Sequence, residues 1–305
     1  MSEPDLSVRI GGLKLKNPVM PASGTFGYGE EYSGLFDLDL LGAMVSKAVS
    51  PLPRHGNKPP RMVELPSSLL NSIGLQNPGV DDFLSKKLPF LFNYNLPLIV
   101  NVVGNDLDEY RNVVERLDPE KRIDGFEINL SCPNVEKGLE FGTTPEGVER
   151  ITQSLRALTK KPLWIKLSPM VANPPELGKA AEAGGADALV AINTLGGMVL
   201  DLDRRRPVLG ARFGGVSGPA IKPIAVKYVW QLYRAVSIPI IGVGGIMKGE
   251  DAIEFLMAGA AAIQVGTANF VNPLAMPDVL RELNDWLRNH GISNIPEIVG
   301  AAHPE

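Results

Sequence analysis

Eight short apolar runs, separated by helical patterns, constrain this chain more than any other feature. They are Asn17–Ser23, Leu41–Lys47, Leu96–Val103, Gly125–Leu130, Leu163–Leu167, Ala188–Asn193, Pro239–Val243 and Ala262–Gly266. Each reads as a strand buried on both faces, the kind found in a parallel sheet. Helical patterns fall between them at Asp106–Leu117, Thr144–Thr159, Pro174–Ala183, Pro219–Val236 and Glu250–Ala258, with a last one at Asp278–Asn289. This alternation predicts an α/β chain folded as a (β/α)8 TIM barrel, with a doubly wound sheet as the alternative. Val8 to Lys16 alternates around Gly11-Gly12 and predicts an N-terminal β-hairpin. No composition break or low-complexity linker interrupts the 305 residues, so 1–305 is read as one domain.

Alternation along the strands then predicts where the chemistry lies. In Leu163-Trp164-Ile165-Lys166-Leu167, Ile165 and Leu167 are expected to face the helices, which turns Lys166 into the barrel. In Ala188–Asn193, Val190 and Ile192 are expected to face out and Asn193 in. The same reasoning places Asn101, Asn129 and Lys47 on the inner side near the tops of their strands. One lysine or asparagine at a strand end is ordinarily a solvated surface residue. Several converging on one end of a barrel match the place where this fold builds its active sites.

Asn129-Leu130-Ser131-Cys132-Pro133-Asn134 closes the fourth run and holds the only cysteine of the chain. A lone cysteine is commonly a small buried hydrophobe. Here Pro133 stops the strand and turns the chain outward, while Asn129 and Asn134 bring amides able to read a planar heterocycle. Cys132 is accordingly read as a catalytic base. The last two strands end in Gly244-Gly245 and Gly266-Thr267. Glycines after strands seven and eight let backbone N–H groups approach an anion, at the position where barrels commonly hold a phosphate. A phosphorylated cofactor such as flavin mononucleotide (FMN) fits there. Two loops look long for a compact barrel: Asn134–Thr143, read as a lid over the base, and Gly196–Gly218. The second carries Arg204-Arg205-Arg206, read as a solvated patch, and ends in Ser217-Gly218, read as a helix start.

The remaining composition narrows the class. A formal net charge of −4 gives no basic field for nucleic acid or an anionic membrane. One cysteine excludes a disulfide framework and an iron–sulfur cluster ligated by this chain alone. His55, His290 and His303 are far apart and lack metal-ligand spacing, so no metal site is expected. Neither a signal peptide nor a spanning apolar run is read, and a cytoplasmic location is expected.

Taken together, the motifs resemble the class 1 dihydroorotate dehydrogenases over nearly the whole chain. They are Pro21-Ala22-Ser23-Gly24, Ser46-Lys47, Asn71-Ser72-Ile73-Gly74-Leu75-Gln76-Asn77, the Asn129–Asn134 run and Ile192-Asn193-Thr194. Ser217-Gly218-Pro219-Ala220-Ile221-Lys222-Pro223, Gly244-Gly245 and Val265-Gly266-Thr267-Ala268 complete the set. The resemblance implies an FMN enzyme that oxidises (S)-dihydroorotate to orotate in pyrimidine synthesis. It implies that Cys132 takes the C5 proton while hydride passes from C6 to flavin N5, and that Lys166 stabilises the reduced flavin. Lys47 is then expected to contact both flavin and substrate. Asn71, Asn129, Asn134, Asn193 and Thr194 are expected to read the pyrimidine, and the Ile73, Gly74 and Leu75 backbone its carboxylate. Ala22, Ser23, Ser46, Asn101, Ile192, Gly218, Gly244, Gly245, Gly266 and Thr267, with Lys47, Asn129 and Lys166, are expected to line the FMN site.

Branches of the family differ in where the electrons go. The membrane-bound, quinone-reducing class has an N-terminal helical extension and a serine base, and this chain is expected not to belong to it. The runs at Ser217–Pro223, Thr267-Ala268-Asn269-Phe270 and Pro296-Glu297-Ile298-Val299-Gly300 resemble the catalytic subunits of the NAD-linked branch, class 1B. That branch implies a homodimer core and a partner electron-transfer subunit carrying FAD and a [2Fe–2S] cluster. The alternatives are the homodimeric, fumarate-dependent branch, a related flavin reductase of pyrimidines or dihydrouridine, and a non-catalytic FMN-binding barrel. The acidic balance disfavours a tRNA-modifying enzyme, and an inward lysine without a reaction disfavours the last.

Overall fold

A computed structural model describes residues 3–130 and 142–304, and in it the eight apolar runs become eight parallel strands. They are Val19–Pro21 (β1), Met44–Val45 (β2), Leu98–Val102 (β3), Gly125–Asn129 (β4), Leu163–Lys166 (β5), Ala188–Ala191 (β6), Ile240–Val243 (β7) and Ala260–Val265 (β8). Their order around the sheet is β1-β8-β7-β6-β5-β4-β3-β2, and every laddered pair is parallel. The two ends meet where the Gly42 N–H donates to the Val19 carbonyl at 2.9 Å. The sheet is thereby nearly closed into the expected barrel.

Helices cover the outside because their apolar residues recur at helical spacing. In Leu107–Leu117 the buried residues are Tyr110, Val113, Val114 and Leu117, one stripe on one face. Its start is fixed by the Asp106 carboxylate, which accepts the Glu109 N–H at 3.0 Å. Pro145–Arg156 starts likewise on Thr144, whose hydroxyl accepts the Gly147 N–H at 3.2 Å. Such caps contribute about 1 kcal/mol each. Pro174–Ala183, Lys222–Tyr233, Gly249–Met257 and Ala275–Asn289 continue the layer.

The hairpin forms from Val8–Ile10 and Leu13–Leu15 and lies under the N-terminal mouth of the barrel. Its turn is so close that a Cβ on Gly11, where φ is +53°, would lie 2.8 Å from Asp187 Cβ and 3.2 Å from Trp164 Nε1. Val8, Ile10 and Leu15 pack in one cluster with Met20, Val45, Ile99, Trp164 and Val190 from the strands. Burying each large side chain contributes roughly 1.5–3 kcal/mol. This end is closed by hydrophobic packing, so the open chemistry is left to the other end.

Two expectations need correction. Val190 does not face out: it packs with Trp164 and the other inward residues, while Leu189 and Ala191 join the helix-side cluster. The strand ends at Ala191, so its alternation cannot be carried through to Ile192 and Asn193 as the sequence reading did. The segment 196–218 is not a plain loop either. Leu195–Gly197 and Gly214–Ser217 form an antiparallel sheet with Ser68–Asn71 and Met62–Leu65, and Leu200–Asp201 pairs with Arg206–Pro207. Strands of two to four residues leave too little alternation to be read from sequence, and their partners lie far away in the chain.

Candidate active site

Asn129 and Lys166 are the last residues of β4 and β5, and they sit opposite each other in the ladder. Because Ile165 packs on the helix side and Trp164 inside, Lys166 points into the barrel. Its ammonium is buried, donates to Ser23 Oγ at 3.3 Å and faces Glu127 Oε1 at 3.5 Å. Ser23 follows β1, so this contact spans the barrel at its C-terminal end.

The amides assemble next to it. Asn193 Nδ2 donates to Asn129 Oδ1 at 3.1 Å, and Asn193 Oδ1 accepts the Thr194 N–H at 2.8 Å. Tyr110 OH donates to the Asn129 carbonyl at 2.6 Å and steadies the strand end. The small sheet carries Asn71 to the same place: it pairs with Gly215, and Asn71 Nδ2 donates to the Gly215 carbonyl at 3.2 Å. A Cβ on Gly215 would collide with Thr194. Asn71, Thr194, Asn193 and Asn129 therefore form a continuous run ending at Lys166.

Ile73, Gly74 and Leu75 follow Asn71 in a braced loop. Gly74 and Leu75 have φ of 76° and 54°, Asn57 N–H donates to the Ile73 carbonyl at 3.0 Å, and Asn77 Nδ2 donates to the Leu75 carbonyl at 2.8 Å. Ser46 is wholly buried and its hydroxyl ties strand ends together, donating to the Lys47 carbonyl at 2.9 Å and accepting the Asn101 N–H at 3.3 Å. Lys47 is half-buried. Burial pushes its ammonium below the usual lysine range, Glu31 pulls it back up, and Arg61 adds to the lowering.

A second group gathers around the ends of β7 and β8. Gly244 and Gly245 both have positive φ, 133° and 78°. A Cβ on Gly245 would lie 2.8 Å from Lys222 Cβ and 2.9 Å from the Gly218 carbonyl, so only glycine fits. At Gly266 the opposite holds: among the described residues a Cβ would meet nothing nearer than Ala22 Cβ at 3.6 Å, so the backbone there is open. Thr267 Oγ1 donates to Ser217 Oγ at 2.8 Å across the same place. Lys222 turns its ammonium away, to Asp251 at 2.8 Å and to Glu254. Lys222 is thereby committed to those carboxylates rather than to the glycine-lined strand ends. Ile192 links the two groups, its N–H donating to the Val243 carbonyl at 2.9 Å.

The sequence reading missed Glu127 and Gln264. Both are fully buried inside strands taken as apolar. Asn101 Nδ2 donates to Glu127 Oε1 at 2.6 Å, and Gln264 Nε2 donates to Glu127 Oε2. Glu127 shares its alternation with Asn129, a signal that was present in the sequence. Cys132 and Asn134, with the expected lid up to residue 141, lie outside the described residues. The arginine triplet stays at the surface, where Arg204 Nε lies 3.6 Å from Asp201.

An ammonium and a run of amides at the C-terminal ends of barrel strands, beside glycine-rich strand ends, mark an enzyme of the (β/α)8 class. Comparison with known proteins makes this specific. The dihydroorotate dehydrogenase family profile matches residues 5–287. The chain is 51% identical over 302 residues to the protein named dihydroorotate dehydrogenase B (NAD(+)), catalytic subunit, of Geobacter sp. (strain M21), covering 99% of each chain. It is 52% identical over 300 residues to the protein of the same name from Trichlorobacter lovleyi, covering 98% of this chain and 99% of the relative. The chain belongs to the dihydroorotate dehydrogenase family, and it is an oxidoreductase.

Proposed function

We propose that this chain is the catalytic subunit of an NAD-linked dihydroorotate dehydrogenase. It oxidises (S)-dihydroorotate to orotate in the synthesis of pyrimidine nucleotides. The observation that carries this reading is Lys166 turned inward beside the Asn129–Asn193 pair, in a chain about half identical to relatives bearing that name. Residues 1–305 are read as one flavin-binding domain in the cytoplasm. Among the described residues no helix is long and apolar enough to cross a membrane.

The family implies a flavin, and the residues present suit FMN. The phosphate is placed at Gly266, where an added Cβ would clash with nothing among the described residues, with Gly218, Gly244, Gly245 and Thr267 around it. Two buried oxygens, Asn101 Oδ1 and Gln264 Oε1, have no hydrogen-bond partner among the described residues and suit a neighbouring polar ring. Ala22, Ser23, Ser46, Asn101 and Ile192 complete the proposed flavin site, and Lys47, Asn129 and Lys166 border it. When bound, the flavin supplies the acceptor for the hydride that leaves substrate C6.

The chain's own residues do the rest. Cys132 removes the C5 proton, so that a proton and a hydride leave adjacent carbons and the ring double bond forms between them. Asn71, Asn129, Asn134, Asn193 and Thr194 hold the pyrimidine by its carbonyl and N–H edges. The Ile73–Leu75 backbone holds the carboxylate, and Lys47 contacts both substrate and flavin. Lys166 keeps a positive charge where negative charge grows.

Lys47 makes this pH-dependent. A lysine whose pKa is lowered loses its cation at a lower pH than an ordinary one. The KM for dihydroorotate is therefore expected to rise as pH climbs through the alkaline range, below 10.5. Lys47→Arg, which stays charged, is expected to flatten that limb. A KM profile with the same alkaline rise in both proteins removes Lys47 from substrate binding.

The electrons leave through a partner: two copies of this chain, each with an electron-transfer subunit carrying FAD and a [2Fe–2S] cluster. The chain purified alone is expected to show flavin that bleaches anaerobically with dihydroorotate, yet no NAD⁺ reduction. Co-expression with such a subunit is expected to add FAD, iron and NAD⁺ reduction together. Efficient fumarate reduction by the isolated chain would place it in the other class 1 branch, and flavin that does not bleach would overturn the reaction itself.

A further inference from the structure

Inside the barrel, one charged group has no part in the reaction as proposed above. Glu127 is wholly buried, and among the described residues the three groups that meet its carboxylate all offer N–H donors. Asn101 Nδ2 bonds Oε1 at 2.6 Å, Gln264 Nε2 bonds Oε2, and the Lys166 ammonium stands 3.5 Å from Oε1. Both amides turn their N–H groups to Glu127 and leave their own oxygens, Asn101 Oδ1 and Gln264 Oε1, without partners among the described residues. That arrangement suits an ionised carboxylate and not a protonated acid, which needs an acceptor for its proton. A carboxylate this deeply buried costs stability unless a cation balances it, and Lys166 is the cation facing it.

We propose that Glu127 is a positioning residue: it is the counter-ion that holds Lys166 in place and lowers the reduction potential of the bound flavin. The reason is electrostatic. A lone ammonium beside the flavin favours the reduced, anionic form. A carboxylate behind that ammonium cancels part of its field, most strongly where water is excluded. Glu127 thus sets how firmly the site holds electrons, while Asn101 and Gln264 keep the carboxylate from turning away. The inference rests on the proposed placement of the flavin beside Lys166.

The test is the flavin midpoint potential of the FMN-loaded protein and its Glu127→Gln variant, which keeps shape and removes charge. The expected result is a rise of at least tenfold in the equilibrium constant for flavin reduction, about 30 mV for a two-electron couple. Glu127→Asp, which keeps the charge, is expected to stay near the parent potential. An unchanged or lowered potential in flavin-loaded Glu127→Gln overturns the proposal, because a merely structural role would not raise it. A stability cycle covers the case in which that variant does not hold flavin. Glu127→Gln and Lys166→Met are each expected to lower the thermal midpoint by leaving one buried charge alone. The double variant, which leaves none, is expected to lose less than the sum. Additive losses overturn the pairing. A parent protein that holds no flavin would instead sink the proposed function, and the cycle would still report on the pair.

Discussion

Cys132→Ala is expected to keep bound flavin and to lose flavin reduction by dihydroorotate almost completely. The C5 proton needs a base that is unprotonated in a useful fraction near neutrality, and a thiol with an ordinary pKa of about 8.5 meets that need far better than an unaided hydroxyl. In the sequence Cys132 lies three residues past Asn129, whose amide meets Asn193. Removing a general base costs about 10²–10⁴ in rate, and stopped-flow reduction of the flavin reads that loss without involving the electron acceptor. Cys132→Ser is expected to recover some rate only as pH rises, because a hydroxyl is the weaker acid. As the chain has no other cysteine, a thiol reagent is expected to inactivate the parent protein and orotate to protect it. Near-normal reduction in Cys132→Ala would remove the residue from the mechanism.

Lys166→Ala carries the second large effect, and it has two parts. The ammonium sits at the end of β5, buried, with Ser23 at 3.3 Å and Glu127 at 3.5 Å. Taking it away removes the positive charge that favours reduced flavin, so reduction slows and the flavin potential falls. Loss of one preorganised electrostatic contact of this kind costs about 10²–10³ in rate. It also leaves Glu127 buried without its cation, and breaking a buried pair costs about 3–5 kcal/mol of stability. A lower thermal midpoint is therefore expected beside the slower reduction. Lys166→Arg is no neutral control, since a planar fork does not fill the space of a compact ammonium. A variant that reduces at the parent rate with an unchanged potential would make Lys166 a purely structural residue.

Much of this molecule is legible in its sequence. Short apolar runs alternating with helical stripes admit few arrangements, because parallel strands buried on both faces need a helix between each pair. Side-chain alternation was enough to turn Lys166 inward, as its neighbours Trp164 and Ile165 have nowhere else to go. It failed at Val190, because one alternation was carried through Ala188–Asn193 although β6 ends at Ala191. Glu127 was visible on the same alternation as Asn129, yet within an apolar run it was read as strand rather than site.

What the tertiary structure alone decided is which distant residues share a surface. Asn71 and Gly215 are 144 residues apart and become neighbours through a few rungs of a small antiparallel sheet. Glu127, Lys166, Asn101 and Gln264 come from four different strands and meet only because the sheet curls into a barrel. Local patterns record which face of a strand is buried, since that depends on near neighbours in the chain. They do not record which charge lies across the barrel, since that depends on register and closure among strands far apart in sequence.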